Sequence, residues 1–251
     1  MPVWLHALRA SFTFLTRIPV GGFPYPPKTW EWISIWFPFV GALIGVLQTI
    51  VWLALNDYSD PTRAIIAVII GVVVTGGFHE DGLSDSIDAL GGAYDRNNLL
   101  RILKDSRIGA FGALALILAL MLKISLLVDL GDMAPTAFIL GQSLSRALPV
   151  VQLGIQPYVR REDPESKSRD VARSGRLQSI IAVFWVAIIT GGGFIAGVEP
   201  MIITGCVVAM VVVGLVFGVY VQRRAGGLTG DFMGALQQLS ELGILFVMVS
   251  V

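Results

Sequence analysis

The sequence predicts an all-α protein, a polytopic bundle of transmembrane helices with its active site at the cytoplasmic membrane edge. Three observations carry this. Hydrophobic residues make up 55% of the chain and only 14% are Asp, Glu, Lys or Arg, against about 25% charged in a soluble domain. Mean hydropathy is +0.75 over the chain, more apolar character than one aqueous core conceals. The apolar residues also fall in runs of about 20, the length that crosses a bilayer. A soluble enzyme and a disordered chain are both excluded. The 18 basic residues balance 18 acidic ones, so no nucleic-acid partner is expected. One cysteine, Cys206, leaves no disulfide framework.

The elements follow in order. Leu5, Leu8, Phe12 and Leu15 recur at helical spacing, which predicts an N-terminal amphipathic helix on the membrane surface. No basic n-region or cleavage site marks it as a signal peptide. Pro24, Pro26 and Pro27 make 21–27 a loop. About seven spans are then expected, at 33–55, 64–78, 108–128, 135–153, 177–198, 201–221 and 232–251, in one integral membrane domain over 1–251. The second is short and either ends at His79 or continues as a helix. Gly191, Gly192 and Gly193 stand inside the fifth, either breaking it or admitting a close neighbour.

Basic residues sort the loops. Segment 79–107 carries Arg96, Arg101, Lys104 and Arg107; segment 154–176 carries Arg160, Arg161, Lys167, Arg169, Arg173 and Arg176; segment 222–231 carries Arg223 and Arg224. The opposite connections, 56–63, 129–134 and 199–200, hold only Arg63. The N-terminus and the long loops are therefore expected in the cytoplasm. Lys123 fits this pattern less well and is read as snorkelling. The mixed charges of 154–176 suit a solvated loop, a lid or a docking surface equally.

The strongest chemical signal runs from His79 through Asp88. On a helix, Asp81, Asp85 and Asp88 at i, i+4 and i+7 share roughly 60° of arc, spaced about 6 and 4.5 Å along the axis. Like charges so placed repel unless something cationic offsets them. The bland alternative is a solvated acidic face. The chemical one is Mg²⁺, which takes one or two carboxylates plus phosphates and water, in a site suited to phosphoryl displacement. Glu80 joins that set only if the helix begins near it. Arg101, Lys104 and Arg107 form a basic stripe at i, i+3 and i+6, either meeting a diphosphate or anchoring the membrane edge. Gly226, Gly227, Leu228, Thr229 and Gly230 precede Asp231, where glycines let backbone approach a ligand and a helix end favours anions. Asp231 either caps that helix or completes the metal site.

Polar residues inside spans are costly and face the interior. Arg146, beside Gln142, Ser143 and Ser145, is the clearest; Gln237, Gln238, Ser240 and Glu241 are similar. Glu241 either pairs with Arg146 or helps enclose substrate. The only histidines are His6 and His79; His79 is either a base or polar lining.

In combination these motifs resemble the adenosylcobinamide-GDP ribazoletransferase, or cobalamin synthase, family. The resemblance rests on His79-Glu80-Asp81-Gly82-Leu83-Ser84-Asp85-Ser86-Ile87-Asp88, on Lys104-Asp105-Ser106-Arg107-Ile108-Gly109-Ala110-Phe111-Gly112, and on Gly226-Gly227-Leu228-Thr229-Gly230-Asp231 with Gly234-Ala235. The opening Phe14-Leu15-Thr16-Arg17-Ile18-Pro19 resembles that family's start, and Ala89 departs from its usual glycine. The resemblance implies that adenosylcobinamide-GDP and α-ribazole, or its 5′-phosphate, yield adenosylcobalamin, or its phosphate, and GMP. It also implies Mg²⁺ as cofactor and a prokaryotic cytoplasmic (inner) membrane. The metal set expected is Glu80, Asp81, Asp85, Asp88 and Asp231; the catalytic set is Asp85, Asp88, Lys104 and Arg107. Substrate contacts are expected from Arg101, Lys104, Arg107, Arg146, Gly227, Thr229 and Gly230. Expected partners are the two substrates and the lipid bilayer, with a homo-oligomer left open. Two other readings remain: a CDP-alcohol phosphotransferase-like enzyme of similar plan, and a divalent-cation or corrinoid transporter.

Overall fold

The computed structural model describes residues 2–159, 171 and 174–250. Within them the chain forms ten α-helices, with no strand beyond one isolated bridge between Tyr158 and Leu228. The expectations placed on Arg160, Arg161, Lys167, Arg169 and Arg173 lie outside the described residues.

Helix α1 (Val3–Leu15) buries Ala7, Ala10, Ser11 and Leu15 and exposes Val3 and Trp4; of the apolar stripe the sequence predicts, Leu15 is buried while Leu5, Leu8 and Phe12 are half-buried. α2 (Phe37–Ala54) and α7 (Ala134–Leu153) form the closest pair. A side chain at Gly41 would come within 2.2 Å of the Gln142 carbonyl, and one at Gly45 within 2.5 Å of that of Phe138. Only glycine lets the backbones touch there, the small-xxx-small device of membrane helices. Ser143 Oγ donates to the Pro38 carbonyl and Thr49 Oγ1 to that of Pro135, so the two helices run antiparallel.

α3 (Asp60–Thr75) ends at Gly76 and Gly77, both with φ near +69°. These left-handed residues turn the chain by 88° into α4 (Phe78–Gly92), the acidic helix. The second span therefore breaks and continues as a helix. α5 (Arg96–Ile102) is short and begins at an Asp95 cap. α6 (Ala110–Leu130) and α7 meet at Gly131, whose φ of +48° ends α6. α8 (Arg176–Ile195), α9 (Pro200–Ala225) and α10 (Gly230–Ser250) complete the chain. Gly191–Gly193 leave α8 unbroken.

Five helical stretches are long and apolar enough to cross a membrane, or six if α3 and α4 count as one bent span. The expected seven differs in one place. The stretch Ala110–Leu153 has 44 residues, about 66 Å of helix against a hydrocarbon core of about 30 Å. Its halves run in opposite directions beside α10: Lys123 lies beside Gln238 and Gln142 beside Glu241. The sequence reading counts them separately.

Exposed Leu, Ile, Val and Phe cover α6, α8 and α9, while α10 is largely buried. The chain is thus a multi-pass helical membrane protein with α10 at its centre.

Candidate functional site

The acidic face of α4 meets the start of α10 at two glycines. A side chain on Gly82 would lie 2.9 Å from the Asp231 carbonyl and 3.0 Å from Cα of Gly234. That contact carries Asp231 to the face holding Asp81 and Asp85. The charges of Asp81, Asp231 and Asp88 all act repulsively on Asp85. Among the described residues, no donor reaches the side chain of Asp81 or Asp85. Four carboxylates thus gather near one helix junction, and the charges of three of them bear on the fourth, Asp85.

Asp88 has a different task from the metal and base roles expected of it. Its two carboxylate oxygens accept the backbone N–H of Gly109, at 2.7 Å, and of Gly112, at 2.8 Å. These are the N-cap and third residues of α6, so Asp88 caps from α4 a helix that lacks its own cap. Asp88→Ala should cost about 1–2 kcal/mol of stability, read as a lower midpoint of thermal unfolding in detergent. Asp88→Asn should retain part of it through one remaining acceptor oxygen. Equal stability of Asp88→Ala and the parent would remove the capping role.

Glu80 also departs from the expected metal set. Its Oε1 accepts from Gln238 Nε2 at 3.0 Å, so it looks into the bundle, away from the aspartates. There it joins an interior polar network. Lys123 Nζ lies 3.1 Å from Glu241 Oε2 and 3.0 Å from Gln238 Oε1. Gln142 donates to Glu241 and, with its carbonyl and side-chain oxygen, accepts from Arg146. Lys123 is 5% exposed; it does not snorkel, and it, not Arg146, is the ion-pair partner of Glu241.

The glycine-rich turn before α10 is packed against the chain itself. Gly226 and Gly227 have φ of +85° and +149°, and a side chain on Gly227 would fall 2.2 Å from the Pro157 carbonyl. That close approach seats the Tyr158–Leu228 bridge, so Gly227 serves the backbone and not an open ligand cradle. Thr229 is fully buried and caps α10, its Oγ1 accepting the Phe232 N–H. Gly230 lines a cavity with Arg146 and His79.

At the rim, Arg107 grips Asp105 through several contacts down to 2.6 Å, which holds the Asp105 carboxyl at about 2. Arg101 donates to Asn98 Oδ1, and Lys104 is exposed. Arg96 Nε donates to the Ala225 carbonyl and Arg224 to that of Ala93. This crossed pair ties the end of α4 to the end of α9, and the sequence gives no sign of it.

No three His, Cys, Asp or Glu side chains among the described residues converge on one point to form a ready-made metal cage. Mg²⁺ does not require one, since one or two carboxylates with phosphate oxygens and water complete its shell. Two hard oxygen ligands without donors among the described residues, Asp81 and Asp85, amid like charge, fit that requirement.

Comparison with known proteins supplies the context. The family model described as cobalamin-5-phosphate synthase matches residues 7–249. A protein of Shewanella woodyi named adenosylcobinamide-GDP ribazoletransferase is 35% identical, covering 98% of each chain. Same-named proteins of Shewanella amazonensis and Shewanella frigidimarina are 36% and 35% identical, covering 98% and 99% of this chain and 95% and 97% of theirs. No solved structure matches.

Proposed function

The chain belongs to the cobalamin-5-phosphate synthase family, and from that membership we propose that it is an adenosylcobinamide-GDP ribazoletransferase. A hydroxyl of the ribazole ribose attacks the phosphorus on the corrinoid side of the diphosphate. The new P–O bond joins the two substrates, the bond to GMP breaks, and GMP leaves. The observation that carries this reading is the acidic junction of α4 and α10, which suits a polyanionic diphosphate only with a cation between them. Asp81, Asp85 and Asp231 would hold Mg²⁺, which supplies neutralisation of the charge that develops on the phosphate oxygens. Asp85, crowded by negative neighbours, takes the proton of the attacking hydroxyl. Lys104 and Arg101 offer positive charge at the rim, and Arg107 does so by exchanging Asp105 for phosphate.

The distribution of basic residues among the loops supports a cytoplasmic orientation for this junction, at a prokaryotic inner membrane. A transport site belongs near the bilayer midplane, whereas these aspartates lie along the polar helix α4 and at the start of α10. The family match does not favour a lipid enzyme of the CDP-alcohol type. Purified chain in liposomes should release GMP from adenosylcobinamide-GDP when ribazole and Mg²⁺ are present, with the joined corrinoid found by mass spectrometry. Release of CMP from a CDP-lipid, and none of GMP, would replace this reading with the lipid-enzyme one.

A further inference from the structure

Two arginines without a task in the transfer stand at the far end of the acidic junction. α10 begins opposite Gly82, where Asp231 and Gly234 approach it, and runs toward the amino end of α4, where Gln238 donates to Glu80. The carboxyl half of α4 therefore extends past the start of α10. On that extension Asp85 lies three residues beyond Gly82 and Ala93 eleven, about 4.5 and 16 Å along the axis. The glycine contact is a pivot, because swinging the carboxyl end of α4 alters the separation of Asp85 from Asp231. The like charges of the two push them apart.

The arginines close that swing by a reciprocal exchange. Arg224, in the last turn of α9, donates from Nη2 to the carbonyl of Ala93, the residue just past α4. Arg96, the first residue of α5, donates from Nε at 2.7 Å to the carbonyl of Ala225, the last residue of α9. Carbonyls at a helix end lack partners within the helix and carry partial negative charge, so a cation suits both. Ala93 and Ala225 are buried. The Arg224 guanidinium is aimed by Tyr220, one turn earlier, whose hydroxyl accepts from Nη1 at 3.2 Å.

An ordinary positive-inside residue needs no such geometry. Arg223, beside Arg224, is that ordinary case: it is exposed and has no partner among the described residues. The clamp also bears on Asp231 through the chain. From Ala225 the backbone reaches Asp231 in six residue steps, at most about 20 Å, against about 16 Å of α4 between Ala93 and Gly82. So short a connection carries a shift of Ala225 to Asp231.

We propose that Arg96 and Arg224 are positioning residues for the transfer: together they hold the carboxyl half of α4 against the end of α9 and thereby set the separation of Asp85 from Asp231. The proposal rests on the transferase reading above. The arginines act through the aspartates, which hold Mg²⁺ in that reading, so their loss weakens the use of the ion before it affects anything else in the reaction.

The test measures GMP release over a range of Mg²⁺ in liposomes holding the parent, Arg96→Gln, Arg224→Gln, Arg224→Lys or Arg223→Gln. The Mg²⁺ concentration giving half-maximal turnover should rise about tenfold in Arg96→Gln and Arg224→Gln, the loss of one charge-assisted hydrogen bond. Arg224→Lys, which keeps the charge, should fall between, and Arg223→Gln should match the parent. The double variant Arg96→Gln with Arg224→Gln should shift by less than the product of the two, since either break opens the same clamp. A purely structural role lowers the amount of active protein and leaves its half-saturating Mg²⁺ unaltered. That outcome, or an equal shift in Arg223→Gln, would overturn the proposal. A second readout needs neither Mg²⁺ nor turnover. Hydrogen exchange followed by mass spectrometry in detergent should quicken about tenfold over 226–233 in the two Gln variants, with α2 and α7 keeping the parent's rates. Exchange over 226–233 at the parent's rate would also overturn it. A parent inactive at every Mg²⁺ concentration would refute the transferase reading itself, and the exchange comparison would still decide whether the arginines hold the turn.

Discussion

Asp85→Asn is expected to lower turnover at least about 100-fold while leaving the protein as stable as the parent or slightly more so. The loss follows from removing at once a metal ligand and the group that takes the proton; general-base contributions alone run about 100- to 10,000-fold. The stability follows from the surroundings: Asp81, Asp88 and Asp231 all repel Asp85, and no donor among the described residues rewards its charge. Neutralising it relieves strain that the fold tolerates for function. The contrast is Asp88, whose loss frees two amides of α6 and shows first as instability. Turnover and thermal midpoint measured together in both variants separate a site residue from a capping one. An Asp85→Asn protein that is fully active, or inactive only because it unfolds, would contradict the assignment.

Lys123→Met is expected to destabilise the bundle by about 3–5 kcal/mol, the cost of leaving one buried charge unpaired. Glu241 would then face Gln142 and Gln237 with a full charge and, among the described residues, no cation within ion-pair distance. The double variant Lys123→Met with Glu241→Gln should recover more than half of that loss, because neither charge remains. Unfolding followed in detergent by loss of tryptophan fluorescence or by protease sensitivity reads both. A single variant as stable as the parent would show that the pair is solvated, contrary to its burial at 5% exposure on both sides.

Much of the architecture was legible before the structure, because apolar runs of span length permit little else. The acidic face was legible for the same kind of reason: three aspartates at helical spacing share a face wherever the helix goes. Residue roles were harder, since they depend on which helices meet. Asp88 reads as a metal ligand until Gly109 and Gly112 are seen to end on it. Gly227 reads as a ligand cradle until the Pro157 carbonyl is found against it. The Lys123–Glu241 pair left a usable trace. Lys123 lies 13 residues into α6 and Glu241 11 residues into α10, about 20 and 17 Å deep, in helices that run the same way. Charges of opposite sign at matching depth in an apolar chain invite pairing. Snorkelling was the wrong physical account of so deep a lysine. Gly41 and Gly45 at four-residue spacing were a second available signal, for the packing of α2 on α7.

The most direct measurement of the central claim, that the acidic junction of α4 and α10 performs the transfer, is GMP release by the parent and by Asp85→Ala in matched liposomes. Each receives adenosylcobinamide-GDP and ribazole, with Mg²⁺ or with EDTA, and the corrinoid product is weighed by mass spectrometry. The account predicts joined product and GMP only from the parent with Mg²⁺. Product from Asp85→Ala at a rate near the parent's, or from the parent in EDTA, would contradict it.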